Sequence, residues 1–159
     1  MTQRTPGGEG ANMDEAWLED LDLESCLERL RRDVVGRVAV VIDGFPVILP
    51  VNYRLVETLG LTWVALRTRP GNVISQASDR VAFEIDGIDP SYHRGWSVLV
   101  RGTLLPIDPE AASFRDRFDA EPWLTAERDA WLVIEPFSIT GRELHHSELR
   151  WAFHHRAYL

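Results

Sequence analysis

Residues 35–53 read VGRVAVVIDGFPVILPVNY, and this stretch decides the fold. The apolar run from Val38 to Ile42 has the composition of a β-strand, and the Asp-Gly dipeptide after it is a strong signal for a two-residue hairpin turn. Phe45–Tyr53 is then the partner strand. Because proline has no N–H to donate in a sheet, Pro46 and Pro50 indicate that this partner is an edge strand or carries a bulge.

Further short strands follow the hairpin at close spacing, each bounded by turn-forming residues. A series of such strands is typical of a β-barrel with small helices inserted. The expected strands are Leu61–Thr68, Val81–Asp86, Trp96–Leu105, Trp131–Ile134 and Ser138–Leu144, with a turn-rich connection over Gly87–Gly95 and short helices at Asp22–Arg32, Asn72–Ser78 and Pro109–Phe118.

The length of the chain, 159 residues, suits one domain with a real hydrophobic core. We assign residues 17–145 to this domain. Residues 1–16 contain three glycines and two threonines and little to bury, so they are interpreted as a disordered leader. Residues 146–159 form a polar and aromatic C-terminal tail.

Composition excludes several classes of partner. The chain has 25 acidic and 17 basic side chains and a formal net charge of −8, which repels phosphate backbones and argues against nucleic-acid binding. No apolar run approaches the roughly 20 residues of a membrane-spanning helix, so no membrane partner is expected. Cys26 is the only cysteine and cannot form an internal disulfide, which is typical of a cytoplasmic protein.

One cluster of residues has the chemistry of a phosphate site. The sequence RTRPGN at 67–72 leaves a predicted strand and opens a predicted helix. Arg67 and Thr68 offer a guanidinium and a hydroxyl, Gly71 permits close approach of the backbone, and Asn72 begins the helix, where amide groups attract anions. The alternative is a charged strand end followed by an ordinary helix start.

Three other segments are candidates for holding a planar ring. The sequence PVNY at 50–53 offers backbone groups beside an apolar surface. Trp96 could stack on a ring and Ser97 could bond to its edge, while Arg142 could reach a phosphate or a ring carbonyl. Each segment also has a plain structural interpretation as barrel strand or surface residue.

The histidines and paired carboxylates carry no clear chemistry. His93, His145–His146 and His154–His155 include adjacent pairs with no acidic residue at ligand spacing, so no metal site is expected. Glu84 and Asp86 alternate on one strand and therefore share a face, where they are interpreted as a polar barrel surface.

The order of these segments resembles the pyridoxamine 5'-phosphate oxidase-like family of flavin-binding split barrels. A leading helix is followed by the quoted hairpin, then by RTRPGN, VAFEIDGID, GWSVLVRG and IEPFSITGR, so that the resemblance runs from Asp22 to Arg142. No segment is specific alone, but their order and spacing are.

The resemblance implies a mainly β protein built on a six-stranded split β-barrel, which forms a homodimer with two FMN sites between its subunits. Family members commonly carry a lysine at the position of Asn72, so one phosphate-neutralising charge is missing here. The residues that would line the ring are Pro50, Val51, Asn52 and Tyr53. Those that would hold the phosphate are Arg67, Thr68, Gly71 and Asn72, with Ser75 or Gln76 nearby. The residues that would close the site, often from the opposite subunit, are Trp96, Ser97 and Arg142.

The function that follows is that of an oxidoreductase dependent on FMN, or alternatively on a deazaflavin, acting on a small-molecule substrate that the sequence does not specify. A second interpretation is a non-catalytic flavin-binding or sensor protein. A third is a degenerate barrel without a cofactor. A shared fold does not fix the reaction, so all three stay open from the sequence.

Overall fold

Seven strands and one helix make up the part of the chain that the computed structural model describes, which is residues 16–58, 60–68, 74, 79–107 and 130–146. The single helix is α1, and all strand pairings are antiparallel. In chain order the elements are β1 (Trp17–Leu21), α1 (Leu23–Arg32), β2 (Val35–Ile42), β3 (Phe45–Thr58), β4 (Leu61–Thr68), β5 (Arg80–Asp89), β6 (Arg94–Ile107) and β7 (Ala130–His145).

Six of the strands close into a ring, which confirms the predicted barrel. The sheet order is β1-β7-β4-β3-β2-β5-β6, and an additional pairing of β6 with β7 completes the circle. Along its other edge β7 pairs first with β4 over 130–134 and then with β1 over 141–145. In the interval between those two pairings, no strand in the described part of the chain pairs with that edge of β7.

The β2–β3 hairpin forms as the sequence predicts. Asp43 and Gly44 have φ angles of 50° and 81°, the left-handed conformation that a tight hairpin turn needs. The register pairs Ile42 with Phe45, and β3 continues well beyond the expected Tyr53, to Thr58.

The two prolines of β3 lie on its open edge. The Tyr53 N–H donates to the Val34 carbonyl at 2.9 Å, toward the β2 side. Because N–H direction alternates along a strand, the nitrogens of Pro46 and Pro50 face the opposite edge. No strand in the described part of the chain pairs with residues 45–52 there, so the edge-strand interpretation is confirmed.

Helix α1 packs on the barrel core. The Asp22 carboxylate accepts a hydrogen bond from the Ser25 N–H at 2.8 Å and begins the helix. Apolar residues at helical spacing, among them Leu30, are buried on its inner face. The Tyr53 hydroxyl donates to the Leu30 carbonyl at 2.8 Å, and the Phe83 ring packs edge-on against Tyr53 at 4.8 Å. These contacts fix the helix to the barrel core.

Two expected boundaries are wrong. The separate strands Trp131–Ile134 and Ser138–Leu144 are one continuous strand, β7. Pro136 does not break it because the pairing with β6 shifts register there, leaving Phe137 as the extra residue of a bulge. The turn expected over Gly87–Gly95 is also shorter, since β5 and β6 continue to Asp89 and from Arg94.

Several predictions lie outside the described residues. They include the helix at Pro109–Phe118, the leader except Ala16, the tail except His146, and the helix at Asn72–Ser78 except Ile74, which is buried in the core. Within the described residues, no helix has the length and apolar character needed to cross a membrane.

The contact between Gly36 and Phe83 generates a stability prediction. A Cβ at Gly36 would lie 2.3 Å from the Phe83 ring and 2.9 Å from the Glu84 carbonyl oxygen. We expect Gly36→Ala to lower the free energy of unfolding by about 1–3 kcal/mol, because the core must overpack. Gly44→Asn, at an open turn position that asparagine tolerates, is the control, and urea denaturation is the measurement. Equal stabilities would contradict the packing described.

Candidate functional site

Two of the predicted segments meet where β3 and β4 separate. The pairing of these strands ends with Tyr53 opposite Leu66. The next residues outward are Asn52 on β3 and Arg67 on β4, followed on β4 by Thr68. The segment at 50–53 and the start of the proposed phosphate cluster are therefore neighbours at one end of the barrel.

The side chains of the 50–53 segment divide between the two faces of β3. Val51 and Tyr53 are 8% and 0% exposed and belong to the core, whereas Pro50 and Asn52 lie on the outer side. Burial raises the pKa of the Tyr53 phenol well above its usual range, and its hydroxyl is bonded to Leu30. Tyr53 therefore offers its backbone, not its phenol, to any ligand outside the barrel.

The open edge of β3 has a defined pattern of hydrogen-bonding groups. In an antiparallel strand the N–H and C=O of one residue point to the same edge, so Ile48, Pro50 and Asn52 all point outward here. Pro50 supplies only an acceptor, while Ile48 and Asn52 each supply a donor and an acceptor. This edge can accept from an N–H and donate to a carbonyl of the same planar ring.

The two described residues of the phosphate cluster lie on opposite faces of β4. The Arg67 guanidinium lies over the Trp131 ring at 5.3 Å, on the outer face. Thr68 is 4% exposed, the one buried polar residue among those described. Gly71, Asn72 and Gln76, predicted to complete the site, lie outside the described residues, as does Ser75.

A second group of predicted residues lies on β6 and β7. Ser97 is paired directly with Arg142, and on its other side with Asp86 of β5. The Nε atom of Arg142 lies 3.7 Å from the Asp20 carboxylate on β1. Side chains of directly paired residues share a face, so Ser97 and Arg142 form one outward-facing polar row with the two aspartates.

Trp96 lies on the other face of β6 from Ser97, because adjacent residues of a strand alternate. Its indole packs against Gly87, where a Cβ would lie 2.5 Å from the indole nitrogen. The Arg29 guanidinium covers the ring at 5.2 Å and also bonds Glu143 at 2.5 Å. Trp96 is thus held beneath α1 at the edge of the core, and its side chain does not share a face with Ser97.

Sequence reasoning did not single out Arg29 or Glu143. Arginine at the end of a helix is ordinary, and only the pairing of Trp96 with Glu143 in the sheet places both beside the helix. The polar face at Glu84 and Asp86 was predicted and is confirmed. Both carboxylates bond Arg37, and this contact, chiefly with Asp86, raises the pKa of the guanidinium.

Among the described residues, no group of His, Cys, Asp and Glu is placed to hold a metal ion. His145 stacks on Trp17 with ring centroids 5.1 Å apart, and its Nε2 lies 3.0 Å from the Glu19 carboxylate. His93 contacts His146 edge-on at 5.4 Å. The described histidines therefore make aromatic and polar surface contacts.

The two groups of predicted site residues lie toward different ends of β7. Thr68 is paired with Ala130 at its start, and Ser97 with Arg142, twelve positions later. At roughly 3.3 Å per residue this is about 40 Å of extended strand. The structure brings the residues of each group together but does not bring the groups together within one chain.

The profile of the pyridoxamine 5'-phosphate oxidase family matches residues 22–143, which is most of the chain. With its ring of six strands, the protein belongs to the pyridoxamine 5'-phosphate oxidase-like family of split barrels. The family match begins at the N-cap of α1 and so excludes β1.

Individual relatives include Rv0080 of Mycobacterium tuberculosis, an uncharacterized protein that is 30% identical over 126 residues, 77% of this chain and 82% of its own. A FAD binding protein from Mycobacterium smegmatis has a similar structure, with 26% identity, a TM-score of 0.60, and coverage of 80% of this chain and 98% of its own. A FAD-binding protein from Mesorhizobium loti shares the fold at 22% identity, with a TM-score of 0.70 and coverage of 83% and 100%.

The environment of Trp96 gives a prediction. We expect Trp96→Leu to lower the free energy of unfolding by about 2 kcal/mol, because the indole fills the space between Gly87 and Arg29. Tyr92→Leu, at an exposed aromatic residue on the adjacent turn, should change it little. Chemical denaturation measures both. Unchanged stability together with brighter emission from bound flavin would instead place Trp96 at a cofactor.

Proposed function

We propose that this protein binds a flavin nucleotide, FMN or the FMN half of FAD, and uses it as an oxidoreductase on a small molecule. The observation that carries the proposal is the meeting of the open β3 edge at Pro50 and Asn52 with the Arg67 guanidinium. A ring-binding edge and a phosphate-binding cation lie side by side, as a flavin's ring and phosphate require. A deazaflavin, which has a related ring, is the alternative cofactor.

The open edge of β3 suits the pyrimidine side of an isoalloxazine ring. That side of the ring carries one N–H between two carbonyl oxygens. The Pro50 carbonyl can accept from the N–H, and the Asn52 N–H can donate to a neighbouring carbonyl oxygen. Since proline has no N–H, Pro50 presents no competing donor. When bound, the flavin would supply the hydride chemistry, and the barrel wall would hold the ring in place and exclude water from one of its sides.

Arg67 suits the phosphate. In a chain of net charge −8, a phosphate monoester needs a local cation, and the Arg67 guanidinium is anchored on Trp131 at the end of β4. The Thr68 side chain is buried on the opposite face of β4, so its hydroxyl does not join Arg67 at this phosphate. The FAD binding protein of Mycobacterium smegmatis supports a flavin as the ligand of this fold.

We further propose that the protein is a two-fold homodimer whose flavin site is shared between subunits. The outer face of the β2–β3 hairpin exposes Val41 and Ile48 at 47% and 65%, an apolar surface that a second copy would cover. Ser97 and Arg142 are too far along β7 to complete the site of their own chain. A dimer would let them complete the partner's.

A non-catalytic flavin carrier or sensor is the second candidate. It is favoured by the burial of Tyr53, since the phenol nearest the proposed ring faces the core and cannot supply a proton outside it. Turnover of bound flavin with a reduced nicotinamide donor separates the two candidates. The absorption spectrum of the purified protein excludes the cofactor-free alternative if it has a flavin band.

The proposed position of the phosphate is tested with variants that remove or add a positive charge. We expect Arg67→Ala to weaken FMN binding by about 1.5–3 kcal/mol, roughly 10- to 150-fold, because a charge-assisted contact is lost. Asn72→Lys should strengthen binding by restoring a cation. Arg32→Ala, at an exposed helix position, is the control. Fluorescence titration with FMN measures all three, and unchanged affinity in both Arg67→Ala and Asn72→Lys would refute this placement.

The proposed homodimer is tested with a substitution in the β2–β3 hairpin. Ile48→Asp places a charge in the proposed apolar interface, so we expect it to shift the protein from dimer to monomer and to lower flavin affinity. Ile88→Asp, at an equally exposed isoleucine on β5, should do neither. Sedimentation velocity at micromolar concentration gives the mass. A wild-type monomer that still holds flavin would contradict a shared site.

A further inference from the structure

A cationic patch lies on the outer face of β5, β6 and β7. The Phe137 ring, 59% exposed at the β7 bulge, has the Arg101 guanidinium at 5.7 Å and the Arg80 guanidinium at 5.9 Å. Arg101 also donates to the Ser138 hydroxyl at 3.2 Å. We name these four residues the Arg101 patch.

Arg101 differs from several arginines of the sheet and helix. Arg29, Arg31 and Arg37 each bond a carboxylate. Within the described part of the chain, the guanidinium contacts of Arg101 are Ser138 and Phe137, and no acidic side chain neutralises it. In an acidic protein, this leaves a local positive charge beside an exposed aromatic ring.

A groove adjoins the Arg101 patch along the open edge of β7. It has a volume of about 540 Å³, within the range of small-molecule sites. Phe137 and Ser138 line it and belong to the patch as well, while Leu61 and Trp63 of β4 form the opposite wall. Glu135 is the one charged residue among those lining it. The groove thus has two aromatic side chains in its lining, Trp63 and Phe137, with a cation beside it and a carboxylate acceptor within.

We infer that the groove and the Arg101 patch bind a purine nucleoside diphosphate group, as part of the redox cosubstrate of the proposed oxidoreductase. A guanidinium can donate two parallel hydrogen bonds to two oxygens of one phosphate. Aromatic rings and guanidinium planes can also stack on nucleic-acid bases. The base would lie between Trp63 and Phe137, with its amino group donating to Glu135. The diphosphate would lie outside the groove, on Arg101 and Arg80.

The position of the patch fits a cosubstrate, and in this respect the inference rests on the proposed function. Arg101 shares a face of β6 with Ser97, and Ser138 shares a face of β7 with Arg142, each pair four residues apart. At roughly 3.3 Å per residue the separation is about 13 Å. A dinucleotide anchored at the patch is long enough to extend toward residues proposed to close a flavin site.

The test is binding of ADP to the flavin-saturated full chain, so that the flavin site is already filled. Isothermal titration should give a dissociation constant for ADP that rises about tenfold in Arg101→Met, which keeps the apolar stem but loses the charge. Phe137→Leu should weaken ADP similarly. Arg37→Met, at an arginine of the same sheet that is bonded to carboxylates, is the control and should bind ADP normally. Adenosine or pyrophosphate alone should bind more weakly than ADP.

The outcomes separate this inference from the proposed function. ADP affinity unchanged in both Arg101→Met and Phe137→Leu, with melting temperatures near wild type, would overturn the site. Should Arg101→Met fail to fold, Arg101→Gln removes the same charge, and Ser138→Ala removes the hydroxyl that accepts a hydrogen bond from Arg101. A protein that binds no flavin but loses ADP binding in Arg101→Met would refute the flavin proposal while keeping the nucleotide site.

Discussion

The closure of the barrel depends on the double pairing of β7. This strand of 16 residues pairs with β6 along nearly its whole length, and its other edge pairs with β4 at the start and β1 at the end. The bulge at Phe137 lets the strand continue past Pro136 while changing direction. Without that continuity the ring would be an open sheet. The open interval along β7 also creates the groove, so closure and cavity have one cause.

Short-range sequence signals predict the β2–β3 hairpin and the bounds of β4. The Asp43-Gly44 turn predicted the hairpin, and β4 has the expected bounds because a compatible run of residues ends at breakers on both sides. The sequence does not predict the continuity of β7, because the effect of Pro136 depends on its partner strand. The Arg101 patch was not predicted at all, since its residues come from three strands and meet only through sheet register.

The candidate site shows the same contrast between what local sequence predicts and what strand pairing decides. Adjacent residues in sequence were expected to act together, but strand alternation separates them, so Ser97 faces outward while Trp96 packs beneath Arg29. Residues distant in sequence are brought side by side instead, as with Asn52 and Arg67. In a β-barrel, a sequence motif therefore specifies only the position of its residues along a strand. The alternation of side chains along the strand decides which face each residue occupies, and strand pairing decides which residues lie beside it.

The prolines of β3 have a consequence for the behaviour of the protein in a crowded cell. An exposed strand edge beside apolar residues such as Phe45 and Ile48 can pair with strands of other protein molecules, and repeated pairing of this kind leads to fibrils. Pro46 and Pro50 remove every second donor from that edge, so an incoming chain cannot form a continuous ladder. The edge stays available to a short planar molecule that needs only one or two hydrogen bonds, and it is closed to aggregation.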